Sequence, residues 1–247
     1  MKTIVSPTED CVRAAAERLL SRIEEKRDAS LALGAGEDEL RVLRRAAALA
    51  KERGVSLREL RVFAVCEFDG LEPADPNSAR RRLVQAFFAD TDADTEKLSV
   101  PAADDPAAYD EKIRNAGGFD LALIGLGGNA RVGFNEPATQ FDSNTHVQKL
   151  TDKTKRELAP LFGGEDKVPA RGVTMGFQQL CFARDIFVIA LGGEKSAAVF
   201  HMLYGRDDSV YPAAFLQLPP NVTVWADEAA AARLEGKSFD AVRFNGD

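Results

Sequence analysis

The sequence predicts an α/β fold built on a doubly wound, mostly parallel sheet with helices on both faces. Three observations predict it. Segments with strand character alternate with amphipathic, helix-like segments along the chain. Two of the strand segments, Leu121-Ala122-Leu123-Ile124 and Ile186-Phe187-Val188-Ile189-Ala190-Leu191, are continuous apolar runs, the pattern of parallel strands buried on both faces. Glycine-bearing turns follow strand segments, where ligands sit in such folds. The expectation is a Rossmann-like, three-layer arrangement, and 247 residues suffice for one such domain over 1–247.

The elements follow in order. Residues 3–5 read as a first strand. Ser6-Pro7-Thr8-Glu9 reads as a capping box with proline at the first helical position, opening a helix to about residue 26. A strand over 31–33, a glycine turn and a helix from about 37 to 53 come next, and Gly54 stops that helix. Strands are expected over 62–67 and 97–100, with helices around 76–89 and 106–116. The apolar runs supply two central strands, a helix follows Lys195, and 222–225 and 242–244 read as late strands. No repeat, low-complexity tract or long linker divides the chain.

Composition narrows the function classes. Asp and Glu number 39 against 32 Lys and Arg, a formal net charge of −7. That balance argues against a nucleic-acid partner, because such binding rests on phosphate neutralisation. The dense run Arg80-Arg81-Arg82 reads as a solvated helix face. No apolar run reaches membrane-spanning length and the start has no long apolar core of a secretory signal, so no membrane partner and a cytoplasmic location are expected. Cys11, Cys66 and Cys181 are widely spaced and odd in number, which suits reduced thiols. With two histidines and no Cys-x-x-Cys pair, neither a metal site nor a cofactor is expected.

Three strand-to-helix turns draw attention: 34–39, 125–137 and 192–195, together with 66–70. The second reads Gly125-Leu126-Gly127-Gly128-Asn129-Ala130-Arg131 and leads into Phe134-Asn135-Glu136-Pro137. A glycine-rich turn alone is weak evidence of a ligand. With Phe-Asn-Glu-Pro behind it, the segment resembles the glucosamine-6-phosphate deaminase/isomerase family, related to 6-phosphogluconolactonase, whose signature is Gly-x-Gly-x-Asp-Gly-His-Ile-Ala-Phe-Asn-Glu-Pro. Cys66-Glu67-Phe68-Asp69-Gly70-Leu71 resembles the family's Asp-Glu-Tyr-Val-Gly-Leu. Val168-Pro169-Ala170-Arg171-Gly172-Val173-Thr174-Met175-Gly176, Leu191-Gly192-Gly193-Glu194-Lys195 and Leu216-Gln217-Leu218-Pro219-Pro220 match further motifs in the same order. The resemblance covers nearly the whole chain.

The resemblance implies an enzyme of amino-sugar metabolism that opens the sugar ring, moves a proton between C2 and C1 and releases ammonia. That chemistry needs a carboxylate base and a histidine shuttle. At those positions this chain departs: the base Asp falls on Cys66, and Asp-Gly-His becomes Asn129-Ala130-Arg131, while Glu67 and Glu136 are retained. Asn129 does not titrate, and Arg131 stays protonated. Cys66 reads as a buried, inert thiol, with a catalytic nucleophile or base as the functional alternative. Arg131 either pairs with Glu136 or grips a ligand carboxylate or hydroxyl.

The family's phosphate turn, Thr-Gly-Ser-Thr-Pro, falls here on Ala35-Gly36-Glu37-Asp38-Glu39. Three carboxylates in a first helical turn favour the helix dipole but repel a phosphate. At about 5 Å and an effective dielectric near 20, each like-charge pair costs about 3 kcal/mol. The helix end returns only about 0.3–2 kcal/mol. Gly36, Glu37, Asp38, Gly127 and Lys195 are therefore the candidate ligand-binding residues, with Lys195 matching the family's phosphate-binding lysine. The family's second basic ligand has no counterpart in 159–162. His146 and His201 read as surface or packed residues.

Three functions fit these residues. One is a divergent member that keeps the fold to bind a sugar or amino sugar, as a regulatory protein without deaminase activity. Another is an isomerase or deaminase for a different, unphosphorylated amino sugar, with Glu67 or Glu136 as base. The third, lactone hydrolysis on the related fold, needs the same missing Asp and His and ranks below both. Family members occur as monomers and hexamers, so a homo-oligomer is left open.

Overall fold

In the computed structural model, residues 1–205 and 210–234 are described, together with the backbone of 241–243. The elements are β1 (Lys2–Ser6), α1 (Thr8–Glu25), β2 (Ser30–Leu33), α2 (Glu37–Arg53), β3 (Arg61–Ala64), β4 (Cys66–Phe68), α3 (Ala79–Leu83), β5 (Leu98–Ser99), α4 (Pro106–Asn115) and β6 (Leu121–Gly125). They continue with β7 (His146–Lys149), α5 (Asp152–Phe162), β8 (Arg171–Thr174), α6 (Phe177–Leu180), β9 (Asp185–Ala190), α7 (Ser196–Tyr204), β10 (Val222–Asp227) and β11 (Ala241–Arg243). Residue 244 of the expected last strand lies outside the described residues.

Among the described residues, eight strands form one sheet in the order β11-β1-β10-β9-β6-β2-β3-β5. Every pairing in it is parallel. From β2 the chain steps outward through β3 to β5, then returns to the other side of β2 as β6 and continues to β9 and β10. The direction reverses between β2 and β6, so the turns leaving these two strands stand side by side, the place where doubly wound folds take ligands.

Alternation along the strands builds two cores. Leu31, Leu33, Leu121, Leu123, Phe187 and Ile189 face one side, under the apolar stripes of α1 and α2. Ala32, Ala122, Ile124, Ile186 and Val188 face the other, covered in part by Tyr109 and Ile113 of α4, Phe177 of α6 and Val199 of α7. Both faces of the central strands are dry, which is why those segments are apolar at every position. Gly54 ends α2 in the left-handed region, φ 64°, with its amide donating to the Ala50 and Lys51 carbonyls.

Three local expectations are corrected. Ser6 does not cap α1: it pairs with Asp227 in the last register position of β1, and Pro7 occupies the cap position. The helix start is held instead by Thr8 Oγ1, which donates to Asp227 Oδ2 at 2.8 Å. The strand expected over 62–67 is divided between two sheets. Val65 still donates to the Leu33 carbonyl, but from Cys66 the chain turns into a separate three-stranded antiparallel sheet, β4-β8-β7. The helix expected over 76–89 begins at Ala79 and widens to a π-helical turn over Val84–Phe88.

Candidate functional site

A cavity of about 590 Å³ lies where the turns after β2, β6 and β9 meet, with β4, α3 and α5 completing its wall. It brings together Gly36, Glu37, Asp38, Cys66, Glu67, Gly127, Arg131 and Lys195 from the sequence-predicted set. Asn129 and Glu136 lie behind the wall.

Glu136 is buried to 1 % exposure and fully engaged. Asn129 Nδ2 donates to its Oε2 at 2.6 Å, the Thr151 amide donates to Oε1 at 3.1 Å, and Thr151 Oγ1 lies 3.2 Å from Oε2. Asn129 also folds its own turn, its Oδ1 accepting from the Arg131 amide at 3.3 Å. Between them Ala130 is forced to φ 62°, a left-handed conformation that an L side chain adopts at a cost of about 1–2 kcal/mol. The family signature has glycine there. Asn135 anchors the segment from below, donating to the Val132 and Met175 carbonyls at 2.9 and 2.8 Å.

Of the two readings of Arg131, the pairing with Glu136 does not form; Asn129 and Thr151 hold that carboxylate. The Arg131 side chain, 8 % exposed, lies across Gly127 and reaches Glu157 of α5 instead, Nη1 to Oε1 at 3.5 Å. A Cβ at residue 127 would fall 1.7 Å from that Nη1, so glycine is needed there for the arginine to pass. Lys195 Nζ donates to the same Glu157 Oε1 at 3.1 Å, and the Gly128 amide donates to Oε2 at 3.2 Å. Burial pushes the Glu157 carboxyl up, but Arg131 and Lys195 outweigh it and hold it below the usual carboxylate range.

The first turn of α2 supplies three carboxylates with three different fates. Glu37 is exposed and pairs with Arg44 at 2.7 Å and Arg82 at 3.5 Å. Asp38 Oδ2 accepts from the Leu191 amide at 3.1 Å, tying this turn to the one after β9. Burial and the neighbouring Glu39 push its carboxyl up to about 7. Glu39 is buried, and its carboxylate fills the space above Gly34, Gly36 and Gly125, where added Cβ atoms would lie 2.1–2.6 Å from its oxygens. Burial raises it too, against its own amide and that of Gly125.

In β4 the retained Glu67 holds the backbone. Its Oε1 accepts from the amides of Phe68 and Ala79 at 2.8 and 2.9 Å, and Oε2 from that of Arg80 at 3.1 Å, capping α3. Beside it, burial and then Glu67 and Glu39 push the Cys66 thiol up to about 12, so it is protonated at neutral pH.

Several contributors were not predicted. Arg82 was expected on a solvated face, yet its side chain is 15 % exposed and lines the cavity. The arginines of α3 lie on different helix faces, and the one that turns inward is set by the packing of α3. Glu157 had no signal beyond lying in a segment opened by Thr151, whose hydroxyl caps α5. Pro160 and Leu161 line the cavity where the family's second basic ligand was sought. His146 Nδ1 lies 2.8 Å from the Asn144 carbonyl, and the His201 ring stacks on Tyr211 at 3.6 Å.

Comparison with known proteins agrees with this architecture. The family model for glucosamine-6-phosphate isomerases/6-phosphogluconolactonase matches residues 6–225. A glucosamine-6-phosphate deaminase of Bacillus velezensis is 35% identical over 229 residues, 90% of this chain and 95% of that protein. One from Mycolicibacterium smegmatis is 35% identical over 243 residues, 95% and 93% of the two chains. Among solved structures, a monomeric glucosamine-6-phosphate deaminase superposes with a TM-score of 0.91 at 32% identity, covering 94% of this chain and 99% of that one. A 6-phosphogluconolactonase from Trypanosoma brucei shares the fold, TM-score 0.71 at 19% identity over 94% and 99%. No helix among the described residues is long and apolar enough to cross a membrane. With the sheet order, the site turns and these matches in agreement, the chain belongs to the glucosamine-6-phosphate isomerase/6-phosphogluconolactonase family.

Proposed function

We propose that this chain uses the family's cavity to bind a sugar or amino sugar and does not carry out the family's deamination. One observation carries the reading: Asn129 is hydrogen-bonded to Glu136 at 2.6 Å. The residue pair from which a histidine shuttle would be held is thus closed on itself, and the cation at 131 is paired with Glu157. An amide and a guanidinium cannot pass a proton between ring oxygen and carbon near neutral pH. Glu67 and Glu136, the carboxylates retained from the motifs, hold backbone amides with their oxygens and stand as positioning groups. The test is direct: the protein is given glucosamine 6-phosphate, and ammonia and fructose 6-phosphate are measured beside a deaminase relative. No turnover is expected; turnover at the relative's rate sinks the proposal.

A second reading, an enzyme for an unphosphorylated amino sugar, is favoured by the charge of the wall. Six carboxylates line the cavity (Glu37, Asp38, Glu39, Glu67, Glu157, Glu194) against the cations Arg82, Arg131 and Lys195. In that case Glu39 is the carboxyl placed to act as base, since it lines the cavity over the glycines of two site turns and burial raises it above its ordinary value. A thermal-shift panel of sugars and amino sugars separates the readings: a hit that is consumed by the wild type and only bound by Glu39→Gln supports the enzyme. Both readings treat 1–247 as one unit, and the three free thiols fit a cytoplasmic location.

A further inference from the structure

Three donors converge on one point of the cavity wall: the Gly128 amide, Lys195 Nζ and Arg131 Nη1. A backbone amide of a glycine turn flanked by two cations is an arrangement that receives a phosphate or carboxylate. Here it is filled from within the chain. Both oxygens of Glu157 are taken up by these donors, and its side chain remains only 26 % exposed. The other cation of the wall, Arg82, is spent on Glu37. Each cation lining the cavity therefore faces a carboxylate of the chain itself, while Glu39 fills the space over the glycines of the β2 and β6 turns.

We infer that Glu157 is a specificity-determining residue: an internal anion that occupies the cavity's anion subsite, so that the ligand is a sugar or amino sugar without phosphate or carboxylate. The inference rests on the reading of this cavity as the ligand site. An anionic group entering there meets the Glu157 carboxylate, and displacing Glu157 breaks its pairing with Arg131 and Lys195 together. A neutral hydroxyl or an ammonium meets neither penalty. The residue lies 29 positions from Gly128 and 38 from Lys195, so no local motif contains it.

The test is phosphate binding by the whole chain. Inorganic phosphate and glucosamine 6-phosphate are titrated by calorimetry into the wild type, Glu157→Gln, and Glu157→Gln combined with Lys195→Met. The wild type is expected to show no saturable binding of either. The single variant should gain phosphate affinity by about tenfold or more, the effect of removing one unit charge about 5 Å from the anion, and the double variant should lose that gain. Glu157→Ala is read in the same way if the glutamine variant does not fold. Saturable phosphate binding by the wild type that disappears in Lys195→Met overturns the inference, as does a folded variant with no gain. Phosphate binding without ammonia release sinks this inference and leaves the proposal of lost deamination standing. Turnover of an unphosphorylated amino sugar does the reverse.

Discussion

The Asn129 side-chain amide donates to Glu136 Oε2 at 2.6 Å, and this bond holds the site turn against the start of α5. It has a consequence for any attempt to restore an acid at residue 129. Asn129→Asp places two carboxyls in contact inside the wall, and both cannot ionise there. The introduced carboxyl then has a raised folded-state pKa, so its contribution is kept at low pH and lost as pH rises. The expected destabilisation is about 1–3 kcal/mol at about pH 8 and smaller at about pH 5. Urea unfolding at the two pH values checks it, and equal stability loss at both contradicts the close pairing.

The course of Arg131 across Gly127 predicts a non-additive pair. Gly127→Ala sets a Cβ 1.7 Å from Arg131 Nη1 and 2.5 Å from its Cγ, so the arginine must leave Glu157. The cost expected is about 1–3 kcal/mol, as for other overpacked sites. In an Arg131→Ala background most of that cost should vanish, which a double-mutant cycle in denaturant measures. A full cost in both backgrounds would falsify the placement of the guanidinium.

Asp38 predicts a pH dependence of stability. Its folded pKa is raised from 3.8 to about 7, so between these values the folded state holds a proton that the unfolded state has released. Its contribution to stability is whole below about pH 4, falls as pH rises and is gone above about pH 7. Asp38→Asn should flatten this part of the melting-temperature profile and make the protein more stable at neutral pH. The gain expected is on the order of 1–2 kcal/mol once solvent screening is allowed for. A profile unchanged by the substitution counts against the burial of this carboxyl.

Burial pushes Cys11, Cys66 and Cys181 each up to about 12. At about pH 8 only about one thiol in ten thousand is then ionised. A thiol reagent should label none of them in the native protein within minutes and all three once the chain is unfolded. Rapid native labelling at Cys66, located by peptide mass, would reopen its reading as a nucleophile.

The sequence by itself determined the class of fold, most of the main-sheet strands, the three glycine turns and the family, because each is written in contiguous residues. Apolar runs such as 121–124 report burial on two faces, and Phe134-Asn135-Glu136-Pro137 follows its turn without a gap. It also fixed which side chains stand at the family's catalytic positions. Tertiary structure alone decided what those side chains do. The apolar run over 62–66 serves two sheets, since Val65 and Cys66 differ in partner and not in hydrophobicity. Glu136 is held by Asn129 and Thr151, and Arg131 pairs with Glu157. That outcome depends on α5 lying against turns 29 and 38 residues away. Periodicity records which face of an element is buried; the choice among charged partners is made by distances that exist only after the layers have packed.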